Sequence, residues 1–202
     1  MSKQQIIQAS LLNSVSYSTY RNMIEKWVQE GKTSGPEQGQ EQIHYTALNE
    51  KRYKRLDKSI VIPEEKAEFF RNYSKSITLL VITESWCGDA AQIVPVVNKI
   101  AELNPKIMLK LVFRDENEAL MNLFLTNGGK AIPVVVFLDL ENNVLAWWGS
   151  RPSIATKMVE DYKAVHGKLS PEFKEELQKW YNQDKGNNIV DDFIKILKDI
   201  NK

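Results

Sequence analysis

The residues best suited to chemistry lie in one short segment, residues 84–90, which reads ESWCGDA and contains the only cysteine of the chain, Cys87. An apolar β-branched run over residues 77–83 precedes the segment, and a stretch with helical periodicity follows it from Asp89. Cys87 is therefore predicted at a helix N-terminus, where free backbone N–H groups and the helix dipole favour the nucleophilic thiolate. The alternative is a small buried hydrophobic side chain, the commonest role of a lone cysteine.

Asp89 has the opposite effect on the ionisation of Cys87 to that of the helix N-terminus. A carboxylate in the first turn stabilises the helix, but it also disfavours a negative charge on the neighbouring thiol. Two unit charges about 4 Å apart interact by roughly 1 kcal/mol in water and about 4 kcal/mol at an effective dielectric of 20. Because this is comparable to the effect of a helix terminus, the sequence leaves open the direction in which the pKa of Cys87 is shifted.

The elements that must position these residues alternate between strand and helix. Strands are predicted over residues 77–83, 106–113, 134–138 and 144–148, the last two as a hairpin. Helices are predicted over residues 89–103, 116–125 and 153–165. This order predicts an α/β fold in which a parallel strand pair, joined by a crossover helix, is completed by antiparallel strands into a mixed sheet.

Helical patterns also precede and follow this alternating region. Before it, helices are predicted over residues 17–28 and 40–56, with a third that begins at Pro63, and two more follow Ser170. We therefore expect three parts: a helical N-terminal extension that packs on the core (1–76), an α/β domain (77–166) and a helical C-terminal extension (167–202).

The motif Trp86-Cys87-Gly88-Asp89-Ala90 resembles the W-C-G-P-C motif of thioredoxins. Thioredoxins also carry a helix-interior proline after the cysteine, a cis-proline before a later strand and a glycine before the last helix. The corresponding features here are Pro95, Ile132-Pro133 and Gly149. A proline inside a helix costs roughly 3 kcal/mol, which makes Pro95 informative. The resemblance implies a thioredoxin-like fold, with a central mixed sheet flanked by helices and extra helices at both termini.

The resemblance also implies a role for individual residues. Cys87 corresponds to the nucleophile that attacks a partner's disulfide, and Trp86 corresponds to the indole beside it. Ile132 and Pro133 correspond to the loop that holds the partner chain extended next to the cysteine, with Lys130 close to that loop.

Departures from the thioredoxin pattern restrict the chemistry. Ala90 occupies the position of the resolving cysteine, so only an external thiol such as glutathione could release a mixed disulfide at Cys87. Val81 stands where thioredoxins bury a carboxylate that assists proton transfer. Peroxiredoxins share the fold but place Thr or Ser three residues before the reactive cysteine, where this chain has Glu84, an anion that repels a thiolate and cannot donate a hydrogen bond. Neither dithiol reduction nor peroxidase activity is therefore expected.

Two functions from different classes remain. The favoured hypothesis is a monothiol redox protein in which Cys87 forms and releases mixed disulfides with protein thiols or glutathione. Glutathione would be a co-substrate, and no other cofactor and no metal is expected. The alternative is a non-catalytic interaction module that binds a peptide or protein beside the cis-proline loop.

The composition narrows the class of partner. The 27 Lys and Arg against 26 Asp and Glu leave no net field to attract nucleic acid or an anionic membrane. No apolar run approaches the roughly 18 residues that a membrane-spanning helix needs. A single cysteine permits no internal disulfide and fits a reducing compartment, so we expect a cytoplasmic protein. The sequence makes no prediction of the oligomeric state.

Overall fold

The computed structural model describes residues 1–202, which form a four-stranded sheet with helices packed around it. The strands are β1 (Ile77–Thr83), β2 (Ile107–Phe113), β3 (Val134–Leu138) and β4 (Val144–Gly149). The helices are α1 (Lys3–Leu12), α2 (Tyr17–Glu30), α3 (Gln40–Ser59), α4 (Glu64–Arg71), α5 (Gly88–Glu102), α6 (Glu118–Met121), α7 (Ser153–His166), α8 (Pro171–Asp184) and α9 (Asn187–Ile200).

The sheet has the order β2-β1-β3-β4, with β1 and β2 parallel and β3 antiparallel to both of its neighbours. The central strands β1 and β3 are buried along nearly their whole length, which explains why they are continuous apolar runs rather than alternating ones. The predicted parallel pair and the predicted hairpin are both confirmed. The C-terminal end of β1 and the N-terminal end of α5 meet at Cys87, so the sheet fixes where the cysteine lies.

Two helical predictions differ from the structure. The predicted helix over residues 116–125 is replaced by a 3₁₀ turn, Arg114–Glu116, and the four-residue α6, because Asn117 between them takes a non-helical conformation (φ −129°, ψ 49°). Helix α1 lies in the extension that was expected to be helical, but no separate helix was predicted there. It begins with a capping box between Ser2 and Gln5, but it buries only Ile7 and Ser10, so its apolar periodicity is too weak to read.

The terminal extensions contribute to the same hydrophobic core as the α/β region. Tyr20, Tyr53 and Phe70 from the N-terminal helices are fully buried, and so is Phe193 from α9, whose ring centroid lies 5.1 Å from that of Phe137 in β3. The extensions are thus integral layers of the fold. No helix in the chain is long and apolar enough to cross a membrane.

Candidate functional site

Cys87 caps the N-terminus of α5, as the sequence predicted. Its Sγ accepts a hydrogen bond from the backbone N–H of Ala90 at 3.4 Å and donates one to the backbone carbonyl of Ile132, also at 3.4 Å. The structure therefore brings the cysteine and the Ile132-Pro133 loop, 45 residues apart in sequence, into direct contact. The thiol donates a hydrogen bond to that loop, which is the arrangement of a neutral thiol rather than a thiolate.

The loop that contacts Cys87 is held in place by a close backbone approach. The Ile132–Pro133 peptide bond is cis. Gly149, at the end of β4, lies against the loop with φ of +143°, and a Cβ at this position would be 2.4 Å from the carbonyl oxygen of Pro133. Only glycine combines that dihedral angle with that contact. Gly149 thus belongs to the structural support of the site.

Helices from both extensions cover the cysteine, which is only 8% exposed. From α8, the hydroxyl of Tyr181 donates a hydrogen bond to Asp89 Oδ1 at 3.0 Å, and Gln178 Oε1 accepts one from Gln92 Nε2 at 3.0 Å. From α3, the guanidinium of Arg52 lies 3.3 Å from the point where a Cβ on Gly88 would be. The sequence could not decide whether the flanking helices would cover this face.

Burial decides the state of the thiol. Desolvation, followed by the nearby Asp89 carboxylate, raises the pKa of Cys87 to about 12. The backbone N–H groups of Ala90 and Asp89 and the charge of Arg151 act in the lowering direction but are weaker. The question left open by the sequence is therefore answered: the pKa is raised, and the largest cause is burial, which the sequence did not reveal.

Asp89 itself lies in a half-closed polar cluster. Its Oδ2 is 2.8 Å from Arg151 Nη2, and its side chain is 12% exposed. Desolvation raises its pKa, although the Arg151 charge and the Tyr181 hydroxyl oppose the shift. Sequence reasoning missed both partners, because Tyr181 is 92 residues away and no spacing links it to the motif.

Ala90 is completely buried and presents only a methyl group at the position of a resolving thiol. Val81 is likewise fully buried in β1, so no carboxylate lies behind the cysteine at that position. Both departures from the thioredoxin pattern are therefore in the core and carry no polar atom that could take part in proton or thiol transfer.

Glu84 is turned away from solvent into a polar cluster beneath the motif. It is fully buried, accepts hydrogen bonds from the Ser34 hydroxyl and from the backbone N–H of Asp115, the latter at 2.9 Å, and its pKa is raised to about 7 mainly by burial. The sequence treated this residue as a simple anion near the thiolate. In the structure it tethers the loop before α3 to the end of β1.

The other side of the motif is open. A polar cavity of about 290 Å³ is lined by Pro36, Glu37, Arg114, Asp115, Glu118 and Lys130, and Arg114 links it to Trp86. The Arg114 guanidinium carbon is 4.8 Å from the centroid of the Trp86 ring. Arg114 pairs with Asp115 and Lys130 pairs with Glu118. The sequence placed Lys130 close to the cis-proline loop but did not reveal the cavity that it lines.

Solved structures with a similar fold include two that span almost the whole chain. An HIV epitope scaffold has a TM-score of 0.58 and 19% sequence identity, covering 91% of this chain and 98% of its own. A protein of unknown function from Pseudomonas aeruginosa has a TM-score of 0.56 and 21% identity, with the same coverage of 91% and 98%. At this level of identity the likeness concerns the fold alone. No curated protein matches the chain in sequence.

A sequence-family model described as thioredoxin matches residues 35–163, more than half of the chain. The matched range includes the Cys87 motif, the cis-proline loop and Gly149. Together with the mixed sheet and its flanking helices, this match confirms the predicted α/β class and the predicted resemblance. The chain belongs to the thioredoxin family and has a thioredoxin-like fold.

Proposed function

We propose that this protein is a thioredoxin-fold binding module that holds an extended polar segment of a partner in the cavity beside Trp86, without thiol chemistry at Cys87. The observation that carries the proposal is the burial of the cysteine, which is 8% exposed and donates a hydrogen bond to the Ile132 carbonyl. This reverses the order of preference that the sequence suggested.

The thiol state weighs against redox chemistry in this conformation. The thiolate is the nucleophile in disulfide exchange. With a pKa of about 12 for Cys87, only about one thiol in 10⁵ would be ionised at pH 7. Ala90 offers no second thiol, so neither half of a dithiol reaction is supported.

The chemistry of the cavity indicates what kind of segment would bind. Three acidic and two basic side chains line it, and both basic groups are already paired with acids of the same lining. Glu37 is the acid without an ion-pair partner. A segment with a lysine or arginine side chain would pair with Glu37, while its backbone met the remaining polar groups.

The experiment is a selection from a displayed library of linear peptides, followed by affinity measurements on the selected peptides by fluorescence anisotropy. We expect basic peptides to be selected, and Glu37→Gln to weaken binding by about 3- to 10-fold. Glu41→Gln, which removes an exposed carboxylate from the first turn of α3, is the matched control and should have no effect. Cys87→Ala should bind as the wild type does. Failure to select any peptide, or loss of binding in Cys87→Ala, would overturn the proposal.

One observation favours a second candidate, monothiol exchange. Cys87 Sγ lies 3.4 Å from both the Ala90 N–H at the helix terminus and the Ile132 carbonyl of the cis-proline loop, which is the placement that a nucleophile held beside a partner chain would need. The Cys87 thiolate would attack one sulfur of glutathione disulfide, breaking its S–S bond, forming a mixed disulfide and releasing one glutathione thiolate. A second glutathione would reverse the modification.

Whole-protein mass spectrometry distinguishes the two candidates. If the protein is a binding module, it remains unmodified after incubation with glutathione disulfide at pH 7, over the time in which an unstructured cysteine peptide is converted. An adduct that forms faster than on the peptide and is abolished in Cys87→Ser would establish the second candidate instead.

A further inference from the structure

Helix α8 lies over the N-terminus of α5 and supplies part of the cover of Cys87. Tyr181 and Gln178 make the two hydrogen bonds to Asp89 and Gln92, and Gln178 Nε2 lies 3.6 Å from the position of a Cβ on Gly88. All three contacted residues are in the first two turns of α5. A single helix of the C-terminal extension thus reaches the motif from outside the α/β region.

This helix is lightly anchored compared with its neighbour α9. It buries three side chains, Phe173, Leu177 and Tyr181, which form one stripe at a spacing of four residues, while most of its other residues are exposed. Helix α9 has the same length and buries five, including Phe193 in the centre of the core. Because local opening is easiest where few apolar contacts hold an element, α8 should open before α9.

The two ends of α8 are held differently. Gly167 before it has φ of +74° with nothing within 4 Å of a Cβ, so this joint is unobstructed. After it, Lys185 and Gly186 are consecutive left-handed residues, and a Cβ on Gly186 would be 2.6 Å from Val96 Cγ2 in α5. That close contact fixes the start of α9 against the core. The chain therefore has a fixed point directly after α8. The start of α8 is held by Tyr162 of α7, whose hydroxyl lies 3.0 Å from Ser170 Oγ and whose ring stacks on Phe173 with centroids 4.0 Å apart.

We propose that α8 is a cap over Cys87, and that its local opening, without unfolding of the rest of the protein, controls access to the thiol. The inference does not depend on the proposed binding function, because it concerns access to the cysteine and not the cavity beside Trp86. Opening also returns water to the site, so the cap controls the largest cause of the raised pKa of Cys87, which is desolvation.

The single cysteine makes the test direct, since any thiol label reports Cys87 alone. Labelling by N-ethylmaleimide is followed by whole-protein mass spectrometry under native conditions, and global stability is measured separately by urea denaturation. Leu177→Ala removes the central anchor of α8. Leu197→Ala makes the same substitution at a buried position of α9 and is the matched control.

We expect Leu177→Ala to raise the labelling rate on the order of 10- to 100-fold, whereas Leu197→Ala lowers global stability but leaves the rate near that of the wild type. Tyr181→Phe, which removes only the hydroxyl, should raise the labelling rate by about 3- to 10-fold. This variant replaces Leu177→Ala in the test if Leu177→Ala does not fold. Equal acceleration by both leucine variants would mean that labelling requires global unfolding, and would overturn the cap. So would a wild-type rate equal to that of an unstructured cysteine peptide.

Discussion

The two sides of the Trp86–Cys87 pair differ sharply although they belong to one motif. On the cysteine side, α3 and α8 cover the thiol, and Asp89 is engaged by both Arg151 and Tyr181. On the tryptophan side, charged residues line an open cavity and pair mainly with one another. The fold thus keeps the thioredoxin loop but covers its cysteine side, and leaves its tryptophan side open.

The comparison teaches that a motif at a helix terminus does not by itself set reactivity. The helix N-terminus of α5 does donate the Ala90 N–H to Cys87, as expected for an activated cysteine. Desolvation outweighs it, because removing a thiolate from water costs more than one weak hydrogen bond to sulfur returns.

The largest expected effect comes from Gly149, which supports the loop shared by both sides. Gly149→Ala should lower the free energy of unfolding by about 3 kcal/mol or more, because the added Cβ meets the Pro133 carbonyl and φ of +143° is strained for alanine. Urea denaturation measures the change. Gly128→Ala is the control, since φ is +75° but no atom lies within 4 Å, and only about 1 kcal/mol is expected. A similar loss in both variants would contradict the close approach.

A smaller effect, dependent on pH, is expected at Glu84 beneath the cysteine side. Its folded-state pKa of about 7 lies above the ordinary 4.5. A raised folded pKa contributes stability that is present below pH 4.5 and is lost as the pH rises through 7. The wild type should therefore lose roughly 2–3 kcal/mol relative to Glu84→Gln between pH 4.5 and 8. Urea denaturation across this range measures the difference, and a constant difference would show that burial does not shift this carboxyl.

The smallest effects on stability are expected from replacing one acidic residue on each side of the Trp86–Cys87 pair. Asp89→Asn should lower the free energy of unfolding by about 1–3 kcal/mol, since it leaves the half-buried Arg151 without its charge partner. It should also lower the pKa of Cys87, because the Asp89 charge is the second largest cause of the raised value. Thiolate absorbance during a pH titration measures that shift.

Glu118→Gln is the counterpart of Asp89→Asn on the open side. Glu118 pairs with Lys130 at an exposed position, so its replacement should leave both stability and the Cys87 titration unchanged. If the two variants behaved alike, the distinction between a closed and an open side would be wrong.

Much of the fold could be predicted because strong local sequence patterns specify its strands and most of its helices. The four strands follow from apolar runs such as ITLLVIT, and α2 follows from the helical spacing of its apolar residues; the structure shows that Ser16 caps it, with the Thr19 N–H donating to the Ser16 hydroxyl at 3.1 Å. Helix α1 and the broken helix around Asn117 could not be predicted in the same way, because their local signals are weak and tertiary packing overrides them.

The sequence by itself determined the motif, the loss of a resolving thiol at Ala90, and the presence of the cis-proline loop residues, because these depend only on residue identity and order. Only the tertiary structure decided how exposed Cys87 is. Its burial depends on Tyr181 and Gln178, which α8 brings from about ninety residues away, and on the loss of solvent around the sulfur. Desolvation is a property of the packed whole, so no local pattern around Cys87 could contain it.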